Sequence, residues 1–215
     1  MAEVIKTLTV GPLEVNCYIL SDPETKEAFV IDPGGDADNI RRAVEGAGLK
    51  VKYIVNTHGH FDHVGADGSL KEAFAGSELA IHGGDARLLS EAHDHGVIFG
   101  AKLDKQPAPD RLLEDGVVLN AGSLRLRVIH TPGHTQGGVC LFEENEGVLF
   151  TGDTLFAGSV GRTDFPGGSF EELMSSIVNK VLPLGDEVKV YPGHGPSSTI
   201  ALEKDTNPFI TGARS

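Results

Sequence analysis

Three histidines and one aspartate crowd into six consecutive positions of this sequence. They are His58, His60, Asp62 and His63, and the apolar stretch 51–55 in front of them has the composition of a buried strand. Imidazole nitrogen and carboxylate oxygen are ligands that zinc, iron and manganese accept in proteins. A polar surface turn has no reason to collect such side chains so densely, so the segment predicts a metal site.

Four more side chains of the same kinds follow predicted strands elsewhere in the chain. His134 and His194 each come after an apolar stretch and a Pro-Gly turn, Asp32 directly follows an apolar stretch, and Asp153 follows one after Thr151 and Gly152. Ligands collect at one edge of a sheet, where strand ends meet loops. We therefore expect these distant segments to build a common site with the histidine-rich segment.

The predicted metal ligands form two sets of three and one shared residue. The sets are His58, His60 and His134; Asp62, His63 and His194; and, shared between them, Asp153. Two metal ions about 3.5–4 Å apart clamp an attacking hydroxide and polarise the bond that it attacks, and a metal-bound water has a pKa near 7. Asp62 is also the predicted catalytic residue, because its carboxylate can orient that hydroxide and pass its proton on.

Other polar residues have competing interpretations. Asp32 either holds a ligand histidine through its second ring nitrogen, which we favour, or caps the helix that follows it. His93 and His95 have the spacing of a metal-binding pair, but no predicted strand precedes them, and we expect a solvated loop there. His82 and His130 are predicted to be structural.

Composition and charge restrict the class of partner. The 215 residues carry a formal net charge of -13, spread along the chain, which argues against nucleic acid and anionic membranes as partners. We find no signal peptide and no stretch long enough to span a membrane, which predicts a cytoplasmic protein. Cys17 and Cys140 lie in apolar stretches and are expected to be buried free thiols, as a reducing compartment allows, with a disulfide between them as the alternative. The oligomeric state is not predicted.

Hydrophobic periodicity and turn residues give an alternating order of elements. The predicted strands are 4–10, 15–20, 26–31, 51–55, 79–81, 117–120, 124–130, 138–142, 148–150 and 187–191. The predicted helices are 36–47, 70–74, 85–92, 170–181 and 199–204, with a long loop over 93–109. Strands and helices alternate in two similar halves, which favours two packed sheets with helices outside, in a single domain over 1–215.

The ligand pattern, read in order, resembles the metallo-β-lactamase superfamily over about residues 11–208. This resemblance implies an α+β fold, an αββα sandwich in which two mixed β-sheets pack face to face with helices outside. It also implies that the metals lie at one edge of the two sheets, in agreement with the argument from strand ends.

Segments 151–156, 161–165, 191–196 and 207–209 are similar to glyoxalase II and its short bacterial hydroxyacylglutathione hydrolase-like relatives. The resemblance implies a binuclear hydrolase of acyl thioesters such as S-D-lactoylglutathione, with a metal-bridging hydroxide as nucleophile and a small-molecule thioester as partner. The two divalent ions are expected to be zinc, with iron or manganese as alternatives. Full-length glyoxalase II has a further helical domain that supplies much of the glutathione site, so we expect weak binding of glutathione here.

Two other activities are compatible with the sequence. A persulfide dioxygenase shares the segment 161–165 and holds one iron, for which His58, His134 and Asp153 offer a facial triad. A metallo-hydrolase of another small ester or thioester is the second alternative.

Segment 156–169 is predicted to form a wall of the pocket, with Phe156 and Arg162 as substrate-binding residues. Arg162 is equally suited to pair with a nearby acid such as Asp164.

Overall fold

Two mixed six-stranded β-sheets form the framework in the computed structural model, which describes residues 5–101 and 103–212. In spatial order, the first sheet contains β1 (Ile5–Val10), β2 (Val15–Ser21), β3 (Glu27–Ile31), β4 (Lys50–Val55), β5 (Glu78–His82) and β6 (Arg111–Leu113). Its first two pairings are antiparallel and the other three are parallel. The parallel pairings bring the carboxyl ends of β3, β4 and β5 to the same edge of the sheet.

The second sheet comes from the later part of the chain. In sequence order, its strands are β7 (Val118–Ala121), β8 (Leu124–His130), β9 (Val139–Glu143), β10 (Val148–Gly152), β13 (Lys189–Pro192) and β14 (Ser198–Thr199). Only β10 and β13 pair in parallel, so these two strands also end at one edge. The short strands β11 (Leu155–Phe156) and β12 (Ser159–Val160) form a separate hairpin after β10.

Helices cover the outer faces of both sheets. They are α1 (Ala37–Gly46), α2 (Phe61–Val64), α3 (Asp67–Ala73), α4 (Ala86–Ile98), α5 (Phe170–Ser176), α6 (Ile200–Thr206) and α7 (Pro208–Gly212). A π-helical turn over Ile177–Val181 continues α5. Among the described residues, no helix combines the length and apolar character that crossing a membrane requires.

Strand β2 shows how the sequence builds the layers. Tyr18 and Leu20 point into the core between the sheets, while Cys17 and Ile19 point into the core beneath the helices. A strand that is buried on both faces needs apolar residues at nearly every position, because successive side chains point to opposite faces. The second sheet has a third core, where α5, α6 and α7 pack on its outer face. The αββα arrangement predicted from the family resemblance is therefore confirmed.

The loop predicted over 93–109 is wrong in its first part. Residues 93–98 belong to α4, and Gly96 permits this because a β-carbon there would lie 2.1 Å from the side chain of Leu103. Short elements that were not predicted are α2, β6, β11, β12, β14 and α7, although Pro208 suits the first position of a helix. Residue 4 of the predicted strand 4–10 lies outside the described residues. Residues 1–3, 102 and 213–215 of the predicted single domain lie outside them as well.

Candidate metal centre

The predicted ligands come from the ends of strands that meet at one edge of the sandwich. After β4, a turn over residues 56–60 carries His58 and His60, and the short helix α2 that follows carries Asp62 and His63. The loops that follow β8, β10 and β13 carry His134, Asp153 and His194. The structure thus brings together side chains that are up to 136 positions apart in the sequence (58 to 194).

The side chains form two donor groups that correspond to the two predicted sets. In each group the candidate ligand atoms lie within 4.8 Å of one another, and the groups are His58, His60 and His134, and Asp62, His63 and His194. In the first group, Nδ1 of His60 lies 2.9 Å from Nε2 of His134. In the second, Nε2 of His194 lies 3.3 Å from both Nε2 of His63 and Oδ2 of Asp62. We call these the first and the second donor group.

The carboxylate of Asp153 lies between the two donor groups. Its Oδ2 is 3.6 Å from Nε2 of His134, and its Oδ1 is 3.4 Å from Nε2 of His63. Gly193 is necessary for this placement, because a β-carbon there would lie 2.4 Å from Oδ1 of Asp153 and 2.7 Å from the ring of His63. The Pro-Gly turn before His194 therefore leaves room for Asp153 and His63 and also positions His194.

Two buried atoms at this centre fit a metal ion. Nε2 of His58 and Oδ1 of Asp153 are buried and have no hydrogen-bond partner among the described residues. An unsatisfied buried polar atom is costly, and a metal ion satisfies both an imidazole nitrogen and a carboxylate oxygen. The donor set of nitrogen and oxygen atoms suits first-row divalent metals, and the residues present therefore fit such ions.

The charges of the centre also favour a cation. Burial lowers the pKa of His63, but Asp153, Asp62 and Asp32 outweigh burial and raise it to about 10. By contrast, burial and neighbouring histidines lower the pKa of His60 to about 3. Near the second donor group the carboxylates thus stabilise positive charge on His63, whereas the ring of His60 in the first group stays neutral and available as a ligand.

Asp32 positions His63 of the second donor group through the ring nitrogen that faces away from the centre. Its Oδ2 accepts a hydrogen bond of 3.0 Å from Nδ1 of His63, and its carboxylate also accepts from the backbone and the hydroxyl of Thr57. This contact leaves Nε2 of His63 facing the centre. The helix that follows begins after Asp36, whose carboxylate bonds the backbone of Gly11 and not the helix.

A second buried carboxylate, Asp85, was not identified from the sequence. It accepts hydrogen bonds from the backbone of Gly59 at 3.0 Å, the hydroxyl of Thr135 at 2.7 Å and the backbone of Gly137 at 2.7 Å. These partners lie next to ligands of the first donor group, so Asp85 joins the loops that carry them. The signal was present, since a glycine pair and an acid follow the strand β5 as glycine and Asp153 follow β10.

Strand β2 of the first sheet holds the loop of His194, which belongs to the second sheet. Asn16 donates from its side chain to the carbonyls of Pro192 and Gly195, and the Tyr18 hydroxyl donates to Pro192 at 2.6 Å. The position of the second donor group therefore depends on the packing of both sheets.

The predicted substrate-binding residues lie at the rim. Phe156 is half-buried, with its ring centre 6.4 Å from that of His194. Arg162 makes a two-point ion pair with Asp164 at 2.6 and 2.7 Å, and its guanidinium covers the ring of Phe165. Of the two interpretations of Arg162, this geometry favours pairing with Asp164. Its backbone carbonyl accepts a hydrogen bond from Nδ1 of His134 at 2.7 Å.

The remaining histidines and cysteines lie outside the donor groups. Nδ1 of His93 donates to the carbonyl of Leu103 at 2.6 Å, which ties α4 to the segment after it. The rings of His82 and His130 stack on each other with centres 4.1 Å apart. Both cysteines are free and buried, as predicted, and burial raises the pKa of Cys140 to about 11, which disfavours its thiolate form.

The sandwich and its histidine- and aspartate-rich edge define the class of protein. The family model of the metallo-beta-lactamase superfamily matches residues 10–194, and the chain belongs to that superfamily. The superfamily assignment from the ligand pattern is therefore confirmed, and the chain is a metallo-hydrolase-type enzyme with a His/Asp cluster suited to divalent metals.

Three similar proteins illustrate the range within the superfamily. The hydroxyacylglutathione hydrolase GloC of Haemophilus influenzae is 39% identical over 96% of this chain and 97% of its own. The structure of the B3 metallo-beta-lactamase BLEG-1 has a TM-score of 0.90 and 38% identity, covering 97% of this chain and all of that one. The structure of TTHA1623 in a di-iron-bound form has a TM-score of 0.87 and 38% identity, covering 95% of this chain and 99% of that one.

Replacement of the shared carboxylate should affect both donor groups. We expect Asp153→Ala to weaken metal binding at both, whereas His194→Ala should weaken it mainly at the second group, because Asp153 faces His134 as well as His63. Metal content by elemental analysis and chelator competition measure this. Asp186→Ala, which removes a surface carboxylate paired with Lys204, is the control. Loss of one metal ion alike from both variants would contradict the shared role of Asp153.

Removal of Asp85 should loosen the first donor group. Asp85→Ala leaves three buried donors without an acceptor, and we expect metal affinity to fall about 10- to 100-fold, as for other groups that hold ligands in place. The matched control is Asp22→Ala, since Asp22 is a buried carboxylate that binds the backbones of Thr25 and Ser123, at the end of β2 opposite to the site. If both variants lose stability alike while metal affinity is unchanged in both, Asp85 has no special role in the site.

Proposed function

We propose that the protein hydrolyses acyl thioesters, with S-D-lactoylglutathione or a near relative as substrate. The observation that carries the proposal is the pair of donor groups with Asp153 between them. This arrangement supports two metal ions, zinc most readily, with iron or manganese as alternatives. Similarity to a relative named hydroxyacylglutathione hydrolase supports the substrate class.

The first and second donor groups would hold the metal ions. When bound, two such ions acidify a water molecule and polarise the carbonyl group that it attacks. The protein prepares this chemistry by fixing the ligand rings: the Nδ1 atoms of His134 and His63 donate to the Arg162 carbonyl and to Asp32. Because each ring is held through Nδ1, its Nε2 is available at the centre.

Asp62 is the proposed proton acceptor of the reaction. Burial raises its pKa, but His63 and His194 outweigh burial and hold it well below its ordinary value, so the carboxylate is ionised at neutral pH. Its Oδ2 faces His194 at 3.3 Å, at the open side of the second donor group. The leaving thiol has a pKa of about 8.5, so its thiolate departs without a dedicated general acid.

The rim and the surface fit a small substrate. We propose that Phe156 packs against the bound thioester, while Arg162, held by Asp164, shapes the wall of the pocket through Phe165. The net charge of -13 argues against nucleic acid as substrate. Two buried free thiols fit a reducing compartment, and we propose a cytoplasmic location.

The proposal is tested by two assays on one metal-loaded sample. Thiol release from S-D-lactoylglutathione is expected, and Asp62→Asn should lower kcat about 10²- to 10⁴-fold, as the loss of a proton-transfer group does. Asp186→Ala is the control and should keep the rate of the unmodified protein. Oxygen uptake with glutathione persulfide, without thioester cleavage, would contradict the hydrolase proposal and favour the mononuclear-iron dioxygenase.

A further inference from the structure

A cavity of about 340 Å³ opens beside Asp62. Four segments form its walls: the β1–β2 turn with the strand ends that flank it, the turn over residues 34–37, the residues 65–69 at the start of α3, and the segment after α4 around Ala101 and Leu103. Phe61 completes the wall next to Asp62. None of the assignments above uses this cavity.

Apolar residues and two aspartates line the cavity, which suits an uncharged group with an apolar part. Its walls include the side chains of Val10, Leu13, Val15, Phe61 and Leu103, and none of the described lining residues is lysine, arginine or histidine. The only charged lining residues among them are two aspartates, at positions 36 and 62. These carboxylates disfavour an anionic ligand such as the glutathione moiety, which carries two carboxylates of its own.

Asp62 connects the wall of the cavity to the second donor group. Asp62 lines it, and Oδ2 of the same residue lies 3.3 Å from Nε2 of His194. Apolar surface also extends from the cavity wall toward the first donor group: the ring of Phe61 stacks on Phe99 with centres 5.4 Å apart, Phe99 contacts Phe165, and Phe165 contacts His60. A substrate with its carbonyl at the centre can therefore place an apolar chain in the cavity.

Building on the proposed thioester hydrolysis, we propose that this cavity binds an unbranched apolar acyl chain, so that the preferred substrate is a relative of S-D-lactoylglutathione with a longer and less polar acyl group. The enzyme then selects its substrate by the acyl group more than by the thiol. The reaction remains a hydrolysis: water forms the new carbon–oxygen bond, the carbon–sulfur bond breaks, and a carboxylic acid and a thiol are released without any oxidant or reductant. Leu13, whose side chain lines the cavity although it is 49% exposed, becomes ordered against the acyl chain.

The first experiment uses thioesters of the neutral thiol N-acetylcysteamine, from acetyl to octanoyl. Each added methylene that enters the cavity should raise kcat/KM about fourfold, the equivalent of about 0.8 kcal/mol. The rise should stop when the cavity is full. Leu13→Ala should flatten the dependence on chain length, and Ala101→Leu should shorten the preferred chain, because its larger side chain occupies the cavity. The matched control is Leu202→Ala, an equally exposed leucine (51%) on α6, which should leave the series unchanged.

The second experiment separates this inference from the proposed function. Titration calorimetry with S-alkyl thioethers of N-acetylcysteamine measures binding of chains that cannot be hydrolysed. Affinity that rises with alkyl length and falls in Ala101→Leu supports the cavity, even if no thioester is cleaved and the proposed function fails. Affinity and kcat/KM that are independent of chain length would overturn the inference. A preference of tenfold or more for S-D-lactoylglutathione over the hexanoyl thioester would also overturn the inference.

Discussion

The contact between Asp32 and His63 is the interaction on which the site depends. It joins the end of β3 to the end of β4 in a place where Asp32 is 1% exposed and His63 is fully buried. A carboxylate is costly to bury unless donors satisfy it, and Asp32 receives three hydrogen bonds, two of them from Thr57. Asp85 repeats this arrangement for the first donor group, so each group rests on a buried acid that links separate loops.

The sandwich supplies the geometry that such acids require. Parallel strands in both sheets end at the same edge, and short turns carry each ligand directly from its strand. Ligands on rigid elements are held more accurately than ligands on long loops. The bonds from Asn16 and Tyr18 to Pro192 show that the two sheets position each other at this edge. Packing in the core between the sheets therefore contributes to metal binding as well as to stability.

The donor groups could be predicted from sequence because their residue types are rare in such density and each follows an apolar strand. Asp85 was not predicted although Gly83 and Gly84 precede it after a strand, because its partners Thr135 and Gly137 lie about 50 positions away and its role becomes visible only in the fold. Gly96 was misinterpreted for a related reason. Glycine in a sequence indicates a turn, whereas here its missing side chain lets Leu103 pack against a continuing helix. The cavity beside Asp62 likewise arises from separate segments of the chain that no local pattern connects.

The metal content of the protein purified without added metal is the measurement that tests this account most directly. Elemental analysis should find about two first-row metal ions per chain, predominantly zinc, because the structure offers two donor groups with Asp153 between them. A single tightly held iron, with no second ion taken up when metal is supplied, would contradict the binuclear centre, and a protein that binds no metal would contradict the account as a whole.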